Sequence, residues 1–215
     1  NQIAALDVNG LSVLQLLWCS QNAITELDVS GMTALRELHC DNNFIPSLNT
    51  TGLVNLERLF CRNNQIPVLD LNGLTKLVQL DCAGNLLTTL DASTCTDLVL
   101  SIDCGNNQLE TLFVKNGAYE SVAFYNNPDL LYICGDEVQI GDLQIAAMTN
   151  NPATVVSSYC SFTPGGDVNK ITGKIRFDEN NDGCNPTDVT GYNVRFDLTG
   201  PEQSGTFANL LGEYT

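Results

Sequence analysis

The chain has 215 residues and carries 25 acidic against 9 basic side chains, a formal net charge of −16. A field of that sign repels phosphate backbones and anionic membrane surfaces, which excludes nucleic acid as an expected partner. No apolar run reaches the roughly 18 residues that a membrane span requires, and the first ten residues, NQIAALDVNG, lack the basic start and apolar stretch of a signal peptide. The expectation is a soluble chain without a transmembrane segment, any export signal having been removed or lying outside it.

From the amino terminus the dominant feature is a repeat. Cys19, Cys40, Cys61 and Cys82 stand 21 residues apart, and Cys104 follows after 22. Although nine cysteines suggest a disulfide scaffold or a metal site, no C-x-x-C spacing occurs. The same step relates Leu14, Leu35, Leu56, Leu77 and Leu98, then Leu17, Leu38, Leu59 and Leu80, then Ile24, Ile45, Ile66 and Leu87, and finally Leu6, Leu27, Leu48, Leu69 and Leu90. Asn22, Asn43, Asn64 and Asn85 keep the phase, and Asn107 follows a one-residue insertion placed at Val99 to Ser101. The segment around each L-x-C is too short for a helix, and successive copies bury their leucines only by stacking, which predicts a parallel sheet along one face of a solenoid. Cysteine suits an interior column as a small apolar group, and the Asn amide is placed to bond the backbone of neighbouring turns. Thiols on separate turns line up instead of converging, so the ladder is not read as a metal site. Cys95, which continues the column Leu11, Met32, Leu53 and Leu74, is read the same way. Between strands the chain reads T-x-L-D-(V/L)-x-G-(L/M), with Asp7, Asp28, Asp70 and Asp91 in register, Asn49 substituting once, and turns marked by Gly10, Gly31, Gly52 and Gly73. Twenty-one residues leave no room for a long helix, so the convex side is expected to be extended segments and turns.

LRELHCDNNFI, LERLFCRNNQI and LVQLDCAGNLL fit the pattern L-x-x-L-x-(L/C)-x-x-N-x-(L/I), and on these residues the chain resembles the leucine-rich-repeat family in its secreted bacterial type. With the weaker copy YESVAFYNNPDL, where Phe124 takes the cysteine position, the resemblance covers residues 1–133. It implies a mainly β solenoid with a concave parallel sheet, exported to the surface of a Gram-negative bacterium. It also implies a cap over 134–162, because a similar stretch beginning N-P-x-L and ending in Cys follows the last repeat in such proteins. Here that stretch implies a Cys134 to Cys160 disulfide and an oxidising compartment.

A linker at 163–169 then leads to alternating strands in ITGKIRF, YNVRFDL and GTFANL, expected to begin an antiparallel β-sandwich over 170–215. The three visible strands, and the half repeat at Ile3 to Leu11, lead to the expectation of a piece of a longer protein. Within this part Asp178, Asn180 and Asp182, followed by Gly183, match the start of a calcium loop, with the backbone carbonyl of Cys184 as a further ligand. Position twelve is Val189 instead of Glu, and Asp188 stands beside it to close the shell. A calcium ion held there would be structural. Cys184 has no partner among the remaining cysteines.

The outward positions of the repeat strands form the candidate ligand-binding face. The residue before each ladder cysteine runs Trp18, His39, Phe60, Asp81, Asp103, Ala123, with Glu37 and Arg58 in the row before it and Arg62 and Tyr125 in the row after. Large apolar groups rimmed by polar ones mark contact surfaces, and Trp, Tyr and Arg are enriched at binding hot spots. The bland alternative is a ladder of rings that stack with no ligand involved. His39 is the single histidine, and no strand-to-helix elbow or cysteine outside the core supports a nucleophile, so no enzyme is expected here. The expected function is a recognition module holding a protein or glycan at the cell surface, with a fixed subunit of an outer-membrane or cell-surface assembly as the alternative.

Overall fold

In the computed structural model, residues 1–160 are described in full, and beyond them only the backbone of six short strands. Two compact units divide the chain, Asn1–Leu130 and Leu131–Thr215. The first is a solenoid. Its strands are three residues long: β1 Leu16–Trp18, β2 Glu37–His39, β3 Arg58–Phe60, β4 Gln79–Asp81, β5 Thr89–Asp91, β6 Ser101–Asp103, β7 Thr111–Phe113 and β8 Ser121–Ala123. Strands β1, β2, β3, β4, β6 and β8 pair in that order as one parallel sheet, and β5 pairs with β7 on the return side. Leu17, Leu38, Leu59, Leu80 and Ile102 occupy one register line at the centre of the first five of these strands, and all are buried. The step from β4 to β6 is one residue longer than the three before it, and the extra residue falls between buried Leu98 and buried Ile102, where Val99 and Leu100 are both exposed.

Two kinds of side-chain bond hold the turns. Each ladder asparagine is fully used: Asn64 Nδ2 donates to the carbonyls of Cys40 and Cys61 at 3.0 Å, and its Oδ1 accepts the amide of Ile45 at 3.0 Å. Asn43, Asn85, Asn107 and Asn127 repeat this bridge to the turn before. Buried backbone groups that a three-residue strand leaves unpaired are thereby satisfied. On the return side, Asp28 Oδ1 accepts the amide of Ser30 at 2.8 Å, and Asp7, Asp70 and Asp91 form the same two-residue turn. Asn49 substitutes because the bond needs only an oxygen acceptor, here taken by Thr51 at 3.0 Å. The glycine three places beyond Asp28, Gly31, has a φ of 76°, a region costly for other residues.

The second unit opens with β9 Tyr132–Cys134, which runs parallel to β10 Val155–Ser157, and α1 Ile140–Asn150 makes the crossover that parallel strands require. This helix is absent from the sequence expectations. Its start carries no side-chain cap at Gln139, and its buried stripe is only Ile140, Leu143, Gln144 and Ala147. Cys134 and Cys160 are disulfide-bonded, with Cα atoms 5.3 Å apart. Farther on, β11 Gly173–Lys174 pairs antiparallel with β16 Glu213–Tyr214, β12 Arg176–Phe177 with β13 Val189–Thr190, and β14 Arg195–Leu198 with β15 Ser204–Phe207. The β-sandwich expected over 170–215 falls mostly outside the described residues.

Candidate binding face

Strand pairing puts the outward residues into straight rows. Trp18, His39, Phe60, Asp81, Asp103 and Ala123 are register partners from β1 to β8, and so are Leu16, Glu37, Arg58, Gln79, Ser101 and Ser121. The three rings make a stack: Trp18 and His39 have centroids 4.8 Å apart and are tilted by 51°, whereas His39 and Phe60 lie 4.5 Å apart at 19°. Trp18 is 71% exposed and Leu16 beside it 54%, while His39 and Phe60 are half-buried between their neighbours. Rings in such offset geometry attract one another, and the stack itself fixes the angle of the exposed indole.

The polar groups around the stack are largely engaged. Glu37 forms an ion pair with Arg58, and its other oxygen stands 3.5 Å from His39 Nε2, an atom that is buried without a hydrogen bond. Asp41 accepts the Ser20 hydroxyl at 3.0 Å and the amide of Arg62 at 3.1 Å. Ser20 thus faces a carboxylate instead of His39.

Toward β4 and β6 the face turns acidic. Asp81 and Asp103 are register partners, and each spends one oxygen on the amide two residues on, Ala83 at 3.2 Å and Gly105 at 3.1 Å. Their other oxygens meet the Arg62 guanidinium at 3.5 Å and the Tyr125 hydroxyl at 3.4 Å. Burial pushes the Asp81 carboxyl above its usual range, and the neighbouring Asp103 and Asp41 carboxylates add to the rise. Tyr125 lies flat over Gly105, where an added Cβ would come within 2.4 Å of the ring. All eight residues expected on this face are therefore on one sheet surface. Asp41 and Asp103 belong with them, and the signal was their place in the same two rows.

A second column, beside the ladder asparagines, escaped the sequence reading. Gln21, Asn42, Asn63, Asn106 and Asn126 have φ between 52° and 58°, and Gly84 continues the column at 67°. Asn63 Nδ2 donates to Asn42 Oδ1 at 2.9 Å, and Asn126 to Asn106 at 2.8 Å, so an outer amide ladder lines the lip of the sheet. The doubled N-N of four repeats was its sequence signal.

Six thiols of the repeats are shielded from solvent. Cys19, Cys40, Cys61, Cys82, Cys95 and Cys104 are buried and unbridged. Desolvation raises all six, Cys19 and Cys95 to about 11. Among the described residues no group of three or more His, Cys, Asp or Glu side chains is placed to hold a metal ion. The calcium loop expected at Asp178, Asn180, Asp182, Cys184 and Asp188 lies outside the described residues. Among the described residues no helix is long and apolar enough to cross a membrane.

A parallel solenoid of about seven turns, with its short concave strands, fits the leucine-rich-repeat fold. It is similar to the solved functional domain of InlJ from Listeria monocytogenes, which includes a cysteine ladder, at 28% sequence identity and a TM-score of 0.54. The likeness covers 72% of this chain and 36% of that one, so the chain spans about a third of its length. No protein-family model matches the sequence, and neither does any curated protein.

Proposed function

We propose that the solenoid is a non-catalytic recognition module, working outside the cell at a bacterial surface, whose concave face holds a protein or glycan. One observation carries this reading: an indole 71% exposed at the head of the stack Trp18, His39 and Phe60, on the inner face of a rigid sheet. Exposed aromatic groups framed by paired charges are the composition of a contact surface, and a stack held by neighbouring strands loses little freedom on binding. The Cys134–Cys160 disulfide supports an oxidising compartment, where such bonds persist. The likeness to InlJ supports a functional role for the repeats themselves.

The test is capture of partners from surface extracts by the wild-type chain and by a Trp18→Ala/Phe60→Ala variant that keeps its circular dichroism. Loss of a captured species with the variant supports concave recognition. Equal capture by both removes it. The second reading, a fixed subunit of a cell-surface or outer-membrane assembly, is favoured by Phe44 and Leu86, which are 53% and 42% exposed in the same phase two turns apart. In that case Phe44→Ser/Leu86→Ser abolishes capture, and Trp18→Ala/Phe60→Ala leaves it intact.

A further inference from the structure

The concave rows are polarised. In the row that starts at Trp18, rings occupy β1 to β3 and carboxylates occupy β4 and β6. Across the rows stand four acids, Glu37, Asp41, Asp81 and Asp103, against two guanidiniums, Arg58 and Arg62. Glu37 is paired with Arg58, and Asp41 accepts the Ser20 hydroxyl at 3.0 Å and the Arg62 amide at 3.1 Å. Asp81 and Asp103 differ: they stand side by side on adjacent strands, Asp81 meets the Arg62 guanidinium at a long 3.5 Å, and Asp103 meets the neutral Tyr125 hydroxyl at 3.4 Å instead of a cation. Residual negative charge thus sits next to Phe60, the register partner of Asp81, at the inner end of the aromatic stack.

We infer that the occupant of the concave face is an extended, basic stretch of polypeptide, with an aliphatic or aromatic side chain laid on Trp18 and a lysine or arginine set between Asp81 and Asp103. This inference rests on the recognition reading above and specifies its partner. Charge complementarity selects a cationic chain: the face keeps a surplus of carboxylate in a protein whose net charge of −16 draws basic partners from a distance. A neutral glycan would instead need free donors and acceptors beside the ring on which it stacks, and Glu37, Arg58, Ser20 and Asp41 next to His39 are already bonded to one another or to backbone. Length fits as well. From Trp18 to Asp103 is four strand spacings, about 19 Å, which roughly six extended residues span. The incoming cation takes over the long Arg62 contact and relieves the repulsion between the two aspartates, a gain available only in the complex.

The test uses fluorescein-labelled decapeptides read by fluorescence polarisation. One carries Leu and Tyr in its first half and Lys and Arg in its second; a second replaces Lys and Arg by Glu; a third replaces Leu and Tyr by Ser. Maltohexaose serves as a neutral glycan. The first peptide should bind best, and Asp81→Asn/Asp103→Asn should weaken it about tenfold or more, with Gln79→Lys, which removes no existing bond, acting in the same direction. Asp28→Asn/Asp70→Asn changes net charge equally in the return turns, where Asn49 shows that an amide is accepted, and should change binding less than about twofold. Equal loss in both double variants, or equal binding of the first and third peptides, overturns the inference in favour of bulk charge attraction. Maltohexaose binding that depends on Trp18, with no preference among the peptides, also overturns it while leaving concave recognition standing. If extract capture is unaffected by Trp18→Ala/Phe60→Ala, the underlying reading falls as well.

Discussion

In each strand of the concave sheet the central residue faces the core and its two neighbours face out, and the two sets vary in opposite ways along the solenoid. Inward, Leu38, Leu59 and Leu80 are identical and fully buried, and the next turn offers only Ile102. Outward, Glu37, Arg58 and Gln79 change sign or lose charge, and His39, Phe60 and Asp81 change from ring to acid. Stacked turns impose one shape on every interior position, because each side chain must fit the turns before and after it. The face is free of that demand, and its chemistry is therefore available for a ligand.

Breaking the interior should have the largest effect. Asn64→Ala removes the bonds to Cys40, Cys61 and the Ile45 amide and leaves those buried groups unpaired, so urea denaturation should show a loss of about 4 kcal/mol. Cys61→Ser keeps the size but places a hydroxyl in an apolar column, and about 2 kcal/mol should be lost in the same measurement. In the return turns, Asp70→Ala should cost about 1 kcal/mol, while Asp70→Asn should be close to neutral because the acceptor remains.

Changes on the face should be smaller, and one should reverse sign. Trp18→Ala should cost less than about 1 kcal/mol of stability, since most of the indole is already in water. Asp81→Asn should raise stability at neutral pH. Because the folded carboxyl is pushed above its unfolded value, the protonated form is favoured by folding, and that contribution fades as pH rises through the folded value. The variant's advantage, under about 1 kcal/mol after solvent screening, should therefore be present at pH 7 and vanish as pH falls below the ordinary carboxylate range. Thermal melts of both proteins at several pH values check this. A loss of several kcal/mol from Trp18→Ala would erase the contrast between face and interior, and an equal advantage of Asp81→Asn at every pH would remove the electrostatic cause assigned to it.

Much of this architecture is legible in the sequence for a physical reason: a solenoid repeats its local environment, so spacing alone aligns Cys40 with Cys61 and Asn43 with Asn64. The Asn bridges, the buried thiols and the face rows follow from that alignment. By contrast, α1 is poorly legible, since it occurs once, lacks a side-chain cap and buries only a narrow stripe. The outer amide ladder is visible as doubled asparagines, but its left-handed backbone is not encoded in their spacing.

The period, the buried columns and the identity of the outward residues can be read from residue spacing, because a repeat converts spacing directly into register. Tertiary structure alone decided which of those residues are engaged. Only it shows that Glu37 is committed to Arg58, that Tyr125 folds over Gly105, and that Asp81 lies beside Asp103 with one long contact to Arg62. Those contacts join residues of separate turns through side-chain rotamers and local burial, and no spacing along the chain encodes either.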